Sequence, residues 1–202
     1  MTTAVDIAVR VKRLLDSLHE PVLAAFLGEW PASREVGSRE VRARAAADFP
    51  VLRWLDSVCR DSAVFGADLI AAVCRAAPFL AWRQTYTEED IGRAFLDNYA
   101  WCAIVSTEGP LVSERIACGF LLLGPHVHYP RHSHPAEEIY LTLSGTAAWQ
   151  RGAGAWAERA PGALIHHAAD EPHAMRTTAS PLLALYLWRG ADIARSARLA
   201  PS

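Results

Sequence analysis

From residue 99 onward the chain is a series of short apolar runs cut by glycine-containing turns, and this pattern limits the folds open to it more than any other feature. Strand-like runs fall at 99–106, 113–123, 137–143, 146–151, 156–159, 163–166, 172–177 and 182–188. Glu108-Gly109-Pro110, Gly145 and Gly152-Ala153-Gly154 supply turns between them. Short strands at regular spacing, with no long helix among them, predict an antiparallel sandwich or barrel.

The first eighty residues read differently. In residues 3–18, Val5, Val9, Lys12, Leu15 and Leu18 fall near one helical face, and Thr3 with Asp6 resembles a capping box. A second short helix is expected at 22–30, between Pro21 and Pro31, followed by a loop over 32–38. Residues 40–47 are good helix formers, and Asp48 with Pro50 can cap and open a helix over 51–60. A further helix at 67–77 is ended by Pro78, and Thr87 with Asp90 can cap a short one through Leu96. The expected layout is thus an α-helical region over 1–80, packed on a β-barrel over 81–202 that carries the functional site. There is no internal repeat.

At 202 residues the chain fits one domain with a small helical appendage. A net charge of −2 gives no basic footprint, so no nucleic-acid partner is expected. The basic run from Arg39 to Arg44 reads as a solvated helix face. No apolar run reaches membrane-helix length, so no membrane partner is expected. Asp6, Arg10, Lys12, Arg13 and Asp16 interrupt any signal-peptide core, which predicts a cytoplasmic protein. Cys59, Cys74, Cys102 and Cys118 contain no Cys-x-x-Cys pair and are expected to be buried free thiols rather than a disulfide framework.

The chemistry concentrates in His132-Ser133-His134-Pro135-Ala136-Glu137-Glu138-Ile139-Tyr140. Residues two apart on an extended segment share a face, so His132, His134, Glu138 and Tyr140 can converge if the turn at Pro135 keeps the register. Two imidazoles and a carboxylate suit Zn, Fe, Mn, Co or Ni. His173 is the candidate for a further ligand. The plain alternative is a histidine-rich surface loop, and the continuation into a strand-like run and a glycine turn argues against it.

The spacing His132-x-His134-x-x-x-Glu138, then six residues to Gly145, resembles the first motif of the cupins. Pro161-Gly162 followed by Pro172-His173 resembles their second motif, and the likeness covers roughly residues 99–189. Gly124 lies further from His132 than is usual there, so an insertion enlarging a loop over 125–131 is expected. A narrower resemblance is carried by Leu123-Gly124-Pro125, Tyr129-Pro130-x-His132-x-His134-Pro135-Ala136-Glu137-Glu138-x-Tyr140, Ser144-Gly145 and Trp149, with Trp82-Arg83-Gln84-Thr85-Tyr86 and Asn98-Tyr99 upstream. These residues look like the cupin-type dimethylsulfoniopropionate (DMSP) lyases, near the DddL and DddQ branches.

That resemblance implies a mainly β fold, a cupin double-stranded β-helix (jelly-roll) barrel with an N-terminal α-helical region. It implies one divalent transition metal ion per chain, held by His132, His134, Glu138 and His173, with His132 either a ligand or a residue just behind the ligands. It implies β-elimination: a base removes the proton next to the carboxylate, dimethyl sulfide departs and acrylate remains. Tyr140 is the expected base and Tyr129 the second candidate. Trp188, Tyr99, Tyr186 and Trp82, with Trp149 also available, are candidates for the sulfonium end, because aromatic faces attract cations. His126, His128, His166 and His167 are expected in loops or at the pocket rim, and His19 on a helix. Cupins often dimerise, so a homodimer stays open. The same ligands would serve another cupin metalloenzyme, a dioxygenase or an isomerase, or a small-molecule-binding cupin; a dioxygenase would need oxygen, whereas an elimination would not.

Overall fold

The structure is a computed structural model that describes residues 3–31, 49–60, 65–190 and 192–200. The loop and helix expected over 32–47, the basic run within them and Asp48 lie outside the described residues. Helix α1 (Ala4–Ser17) has the Thr3–Asp6 capping box in full. Its buried face differs from the expected one: Ile7, Ala8, Val11 and Leu15 point inward, while Val5 and Val9 are exposed. The packing stripe is set by the layer beneath the helix, and here that layer selected the other set of apolar residues. His19 lies past the helix end with φ 53, not on a helix.

The next two helical stretches open as 3-10 turns at proline, Pro21–Leu23 before α2 (Ala24–Gly28) and Pro50–Trp54 before α3 (Leu55–Arg60). Helix α4 (Ala67–Ala76) runs into a 3-10 turn containing Pro78. The Thr87–Asp90 capping box is formed, but the expected single helix is split into α5 (Glu88–Ile91) and α6 (Arg93–Leu96) by Gly92, which has φ 83. A disulfide joins Cys59 of α3 to Cys74 of α4. The thiol expectation is therefore corrected for this pair, because the packing of α4 against α3 brings the two within bonding distance. Cys102 and Cys118 are free and buried.

The β part has two sheets. One has the order β2-β1-β3-β10-β5-β8, the other β11-β4-β9-β6-β7. The strands are β1 (Tyr99–Ser106), β2 (Leu111–Val112), β3 (Ile116–Leu123), β4 (His128–Ser133), β5 (Glu137–Ser144), β6 (Ala147–Arg151), β7 (Ala157–Arg159), β8 (Leu164–His167), β9 (His173–Thr177), β10 (Leu182–Arg189) and β11 (Arg198–Leu199). All pairings are antiparallel except β1 with β2. This is the cupin barrel with helices at the N-terminal side. The expected loop over 125–131 is corrected: most of it is strand β4, which lacks apolar alternation because it carries the polar site. The expected strand over 113–123 begins only at Ile116, with β2 before it.

Every residue of β3 is buried, because its sheet is covered on both faces. Ile116, Cys118, Phe120 and Leu122 pack with the helices, as do Leu183, Leu185 and Leu187 of β10. Ala117, Leu121 and Leu123 of β3, with Leu182, Ala184 and Tyr186 of β10, face the barrel interior. Two glycines hold this layer together. A Cβ at Gly119 would lie 1.9 Å from the Cys102 carbonyl oxygen and 2.8 Å from the Tyr186 hydroxyl. A Cβ at Gly145, which has φ 79, would lie 2.0 Å from the Pro181 carbonyl oxygen.

Candidate metal centre

The site is assembled between the two sheets. Glu138 on β5 stands between Trp188 of β10 and His167 of β8 on one sheet. His132 of β4 is paired with His173 of β9 on the other. His134 follows β4, and its carbonyl accepts the Asp170 amide at 2.9 Å, which fixes the turn at Pro135. His134, Glu138 and His173 each offer a ligand atom within 4.8 Å of the others, and all three are buried. His134 Nε2 is 2.9 Å, and His173 Nε2 3.2 Å, from Glu138 Oε2.

Backbone carbonyls set the histidine tautomers. Nδ1 of His132 meets the Pro130 oxygen at 2.8 Å, that of His134 the Ala136 oxygen at 2.9 Å, and that of His173 the Glu171 oxygen at 2.9 Å. A carbonyl oxygen only accepts, so each Nδ1 carries the proton and the Nε2 lone pair is left for a ligand role. The buried Nε2 of His173 has no hydrogen-bond partner. Three buried lone-pair atoms converge here, one of them the orphaned Nε2 of His173, and this is the donor set that a divalent ion needs, so the residues fit a metal.

The electrostatics agree. Burial would raise Glu138, but the neighbouring His134, then His173, outweigh it and hold the carboxyl well below the usual range. Burial would lower His134, but Glu138 outweighs it and raises it. Burial, then the neighbouring His173, depress His132 well below the usual histidine value. Trp188 Nε1 donates to Glu138 Oε1 at 2.5 Å, and its ring stacks on His134 at 4.1 Å. One carboxylate oxygen is thus occupied by the indole and the other faces the histidines.

A cavity of about 130 Å³ opens on this centre. Of the residues expected from sequence, His132, His134, Glu138, Tyr129, Tyr140, Tyr99, Tyr186 and Trp188 line it. His132 is beside the three-residue group, its ring 4.2 Å from that of His173. Tyr129 stacks flat on His132 at 3.9 Å, and its hydroxyl is 2.9 Å from that of Tyr86. Tyr140 packs on Trp149 at 4.9 Å, and burial, then the Glu138 carboxylate, push its phenol well above the usual value. Trp82 is not brought to the site: it is buried in the core beneath the helices, with Nε1 donating to the Ala77 carbonyl at 3.0 Å.

His167 was expected at the rim, yet it is fully buried, stacked on His173 at 4.0 Å, with neither ring nitrogen hydrogen-bonded and Nδ1 3.8 Å from Glu171 Oε2. Its inward position follows from β8 alternation beside Ile165. Of the others, His128 is exposed, His166 bonds Glu137 at 2.8 Å, and His126 has φ 55. The sequence reading also missed Trp101, which lines the cavity two residues after Tyr99. The period of two along β1 carried that signal.

Fold and site together define a cupin with a candidate metal centre between its sheets. The sequence matches the dimethylsulfoniopropionate lyase family over residues 33–184, and the chain belongs to that family. It is 35% identical over 119 residues to the dimethylsulfoniopropionate lyase DddQ of Ruegeria pomeroyi, covering 59% of each chain. It is 37% identical over 123 residues to the putative dimethylsulfoniopropionate lyase DddL of Cereibacter sphaeroides, covering 60% of this chain and 50% of the relative. The chain thus spans roughly half to three-fifths of the length of these curated relatives. The crystal structure of DddQ from Ruegeria pomeroyi superposes with TM-score 0.84 at 28% identity, covering 98% of this chain and 95% of that one. A structure from the study of the DMSP lyases RdDddP and RnDddQII gives TM-score 0.80 at 29% identity, covering 98% and 100%. Among the described residues no helix is long and apolar enough to cross a membrane.

Proposed function

We propose that this protein is a metal-dependent carbon–sulfur lyase that cleaves dimethylsulfoniopropionate to dimethyl sulfide and acrylate. The observation that carries the reading is the buried group of His134, Glu138 and His173 beside a cavity lined by His134, Glu138, Tyr140 and Tyr129, in a chain of the DMSP lyase family. His134, Glu138 and His173 would hold one divalent transition ion, with His132 as a further ligand on the same side. When bound, the ion supplies Lewis-acid polarisation of the substrate carboxylate and a positive charge that favours a nearby phenolate.

The remaining work belongs to the chain. Tyr140, next to Glu138 and deep in the cavity, takes the proton from the carbon adjacent to the carboxylate. Its burial and the Glu138 charge keep it protonated until that charge is offset, so activation is coupled to loading of the site. Tyr129 is held flat on His132 and by Tyr86, and positions the substrate beside the base. Tyr99, Tyr186 and Trp188 exclude water and offer aromatic faces to the sulfonium. The leaving group is cationic and departs neutral, so no general acid is required. The reading extends to a cytoplasmic enzyme acting on this small molecule, with a homodimer as the assembly to test.

The test is headspace measurement of dimethyl sulfide from purified protein, with and without a chelator. Release that is lost on chelation and restored by added metal is expected. Tyr140→Phe should keep its bound metal and lose about 100-fold or more in rate, in the range for a removed general base. Full activity in that variant moves the base to Tyr129, and no sulfide with any of the five metals removes the lyase reading.

A further inference from the structure

The chain turns at residues 168–171 between β8 and β9, and this turn is bonded to two of the three clustered ligands. The Asp170 amide donates to the His134 carbonyl at 2.9 Å, and the Glu171 carbonyl accepts the Nδ1–H of His173 at 2.9 Å. Consecutive residues of one turn thus anchor His134 on one side and His173 on the other. His167, the last residue of β8, backs the face of the His173 ring at 4.0 Å and 15° from parallel. His173 is therefore held at its edge and on its face by one short stretch of chain.

The turn is closed by a single side chain. The Glu171 amide donates to the Ala168 carbonyl at 3.0 Å, and the Ala168 amide donates back to Glu171 Oε2 at 3.0 Å. The same oxygen receives Arg151 of β6 at 3.1 Å and lies 3.8 Å from His167 Nδ1. Arg151 is the cross-strand partner of His173, so the clasp ties the turn to the strand beside that ligand. Asp170 sits in the left-handed region with φ 59, a conformation that is costly for a non-glycine residue and persists where the surrounding bonds over-determine it. Neither Asp170 nor Glu171 is among the residues lining the cavity. The Glu171 carboxylate is spent on the turn, so its influence on the centre runs through the turn.

We propose that Glu171 is a positioning residue for the metal centre: by closing the 168–171 turn it fixes His134 and His173 together, and so sets from outside the cavity how tightly the ion is held. This rests on the metal-dependent reading of the site. A ligand imidazole is oriented by the partner of its other nitrogen, and disturbing such a partner weakens metal binding by about 10- to 100-fold. Two ligands share one turn here, so one side chain acts on both. Arg151 supports Glu171 from the solvent side and contributes less, as a partly exposed ion pair does.

The experiment is competition of cobalt-loaded protein against a chelator, with the visible spectrum of the bound cobalt recorded alongside. Glu171→Ala should weaken cobalt binding by about tenfold or more and shift the spectrum, because the directions of two ligands change. Glu171→Gln keeps an oxygen for the Ala168 amide and should recover most of the affinity. Arg151→Met should weaken binding by about two- to fivefold. Wild-type affinity with an unaltered spectrum in Glu171→Ala overturns the proposal. So does a fall in metal-free stability with affinity and spectrum per folded molecule unchanged, which is what a purely structural role would give. If Glu171→Ala does not fold, Arg151→Met decides, and unchanged affinity there overturns the proposal. Protein with the Glu171-dependent affinity that releases no dimethyl sulfide keeps the positioning role and loses the lyase reading. Wild-type protein that takes up no metal loses the metal-dependent reading and the proposal with it.

Discussion

Strand β10 presents two surfaces that differ in kind. Leu183, Leu185 and Leu187 face the helices, fully buried among aliphatic and aromatic neighbours. Ala184, Tyr186 and Trp188 face the barrel interior, and Trp188 bonds a buried carboxylate there. The same division runs along β5, where Ile139, Leu141 and Leu143 pack outward and Glu138 and Tyr140 inward. Strand alternation separates stability from chemistry at single-residue resolution. The outward face gains apolar burial at roughly 1.5–3 kcal/mol per large side chain. The barrel interior, where the two sheets face each other, carries polar atoms without hydrogen bonds, among them His167 Nδ1 and Nε2, His173 Nε2 and Trp149 Nε1. Each such group costs folding free energy, so the interior, although it also buries apolar side chains such as Leu121 and Leu182, gains less from its polar positions than the helix-facing side does.

The sharpest way to break this contrast is Glu138→Ala. Bound metal, measured by elemental analysis, should be lost and dimethyl sulfide release should fall by about 1,000-fold or more, because the ligand set and the charge balance go together. The metal-free variant should remain folded, since His134 and His173, once the carboxylate is gone, can stay neutral and leave no unpaired buried charge. A variant that unfolds would show the inward face to be a stabilising one.

Leu185→Ala is the mirror experiment. It should cost about 2–5 kcal/mol in chemical denaturation, with rate per folded molecule unchanged within about twofold. A specific loss of activity at full stability would mean that the outward face shapes the site.

The Cys59–Cys74 disulfide belongs to the outward, helical side and closes a 15-residue separation. Reduction, or the paired Cys→Ser variant, should lower stability by up to about 3 kcal/mol on the chain-entropy estimate and leave dimethyl sulfide release per folded molecule unchanged. Matching stability of the oxidised and reduced forms would show that the helical side gains nothing from it.

The smallest expected effect concerns acid. Burial, then the charge of His173, depress His167 to about 3. The unfolded chain takes up that proton near 6.5, so below that pH the unfolded state binds more protons than the folded one. The stability gained from a neutral His167 is therefore complete above about 6.5 and lost as the pH falls toward 3. In metal-free protein the urea midpoint should drop from pH 7 to pH 5, and His167→Gln should flatten the decline by at most about 1.4 kcal/mol per pH unit. Identical slopes would show that His167 is not the proton acceptor.

The clustering of His134 with Glu138, the capping boxes at Thr3 and Thr87, and the strands read at 99–106, 137–143 and 182–188 were legible because each rests on local spacing. What failed did so where local pattern is silent or ambiguous. The α1 residues offered two apolar stripes, and only the underlying layer chose between them. Trp82 and Trp101 look equivalent in sequence, yet one is bonded to Ala77 beneath the helices and the other lines the cavity. Strand β4 reads as a loop because His128, Pro130, Arg131, His132 and Ser133 occupy the positions where apolar alternation would show.

The sequence by itself determined which residue types could bind an ion and that short strands would carry them, since both follow from composition and a period of two. Only the tertiary structure brought His173 to Glu138 across the barrel, buried His167 behind it, chose Trp101 over Trp82 and joined Cys59 to Cys74. The reason is physical: these are contacts between segments far apart in the chain or on different elements, fixed by how layers pack, and no local period encodes them.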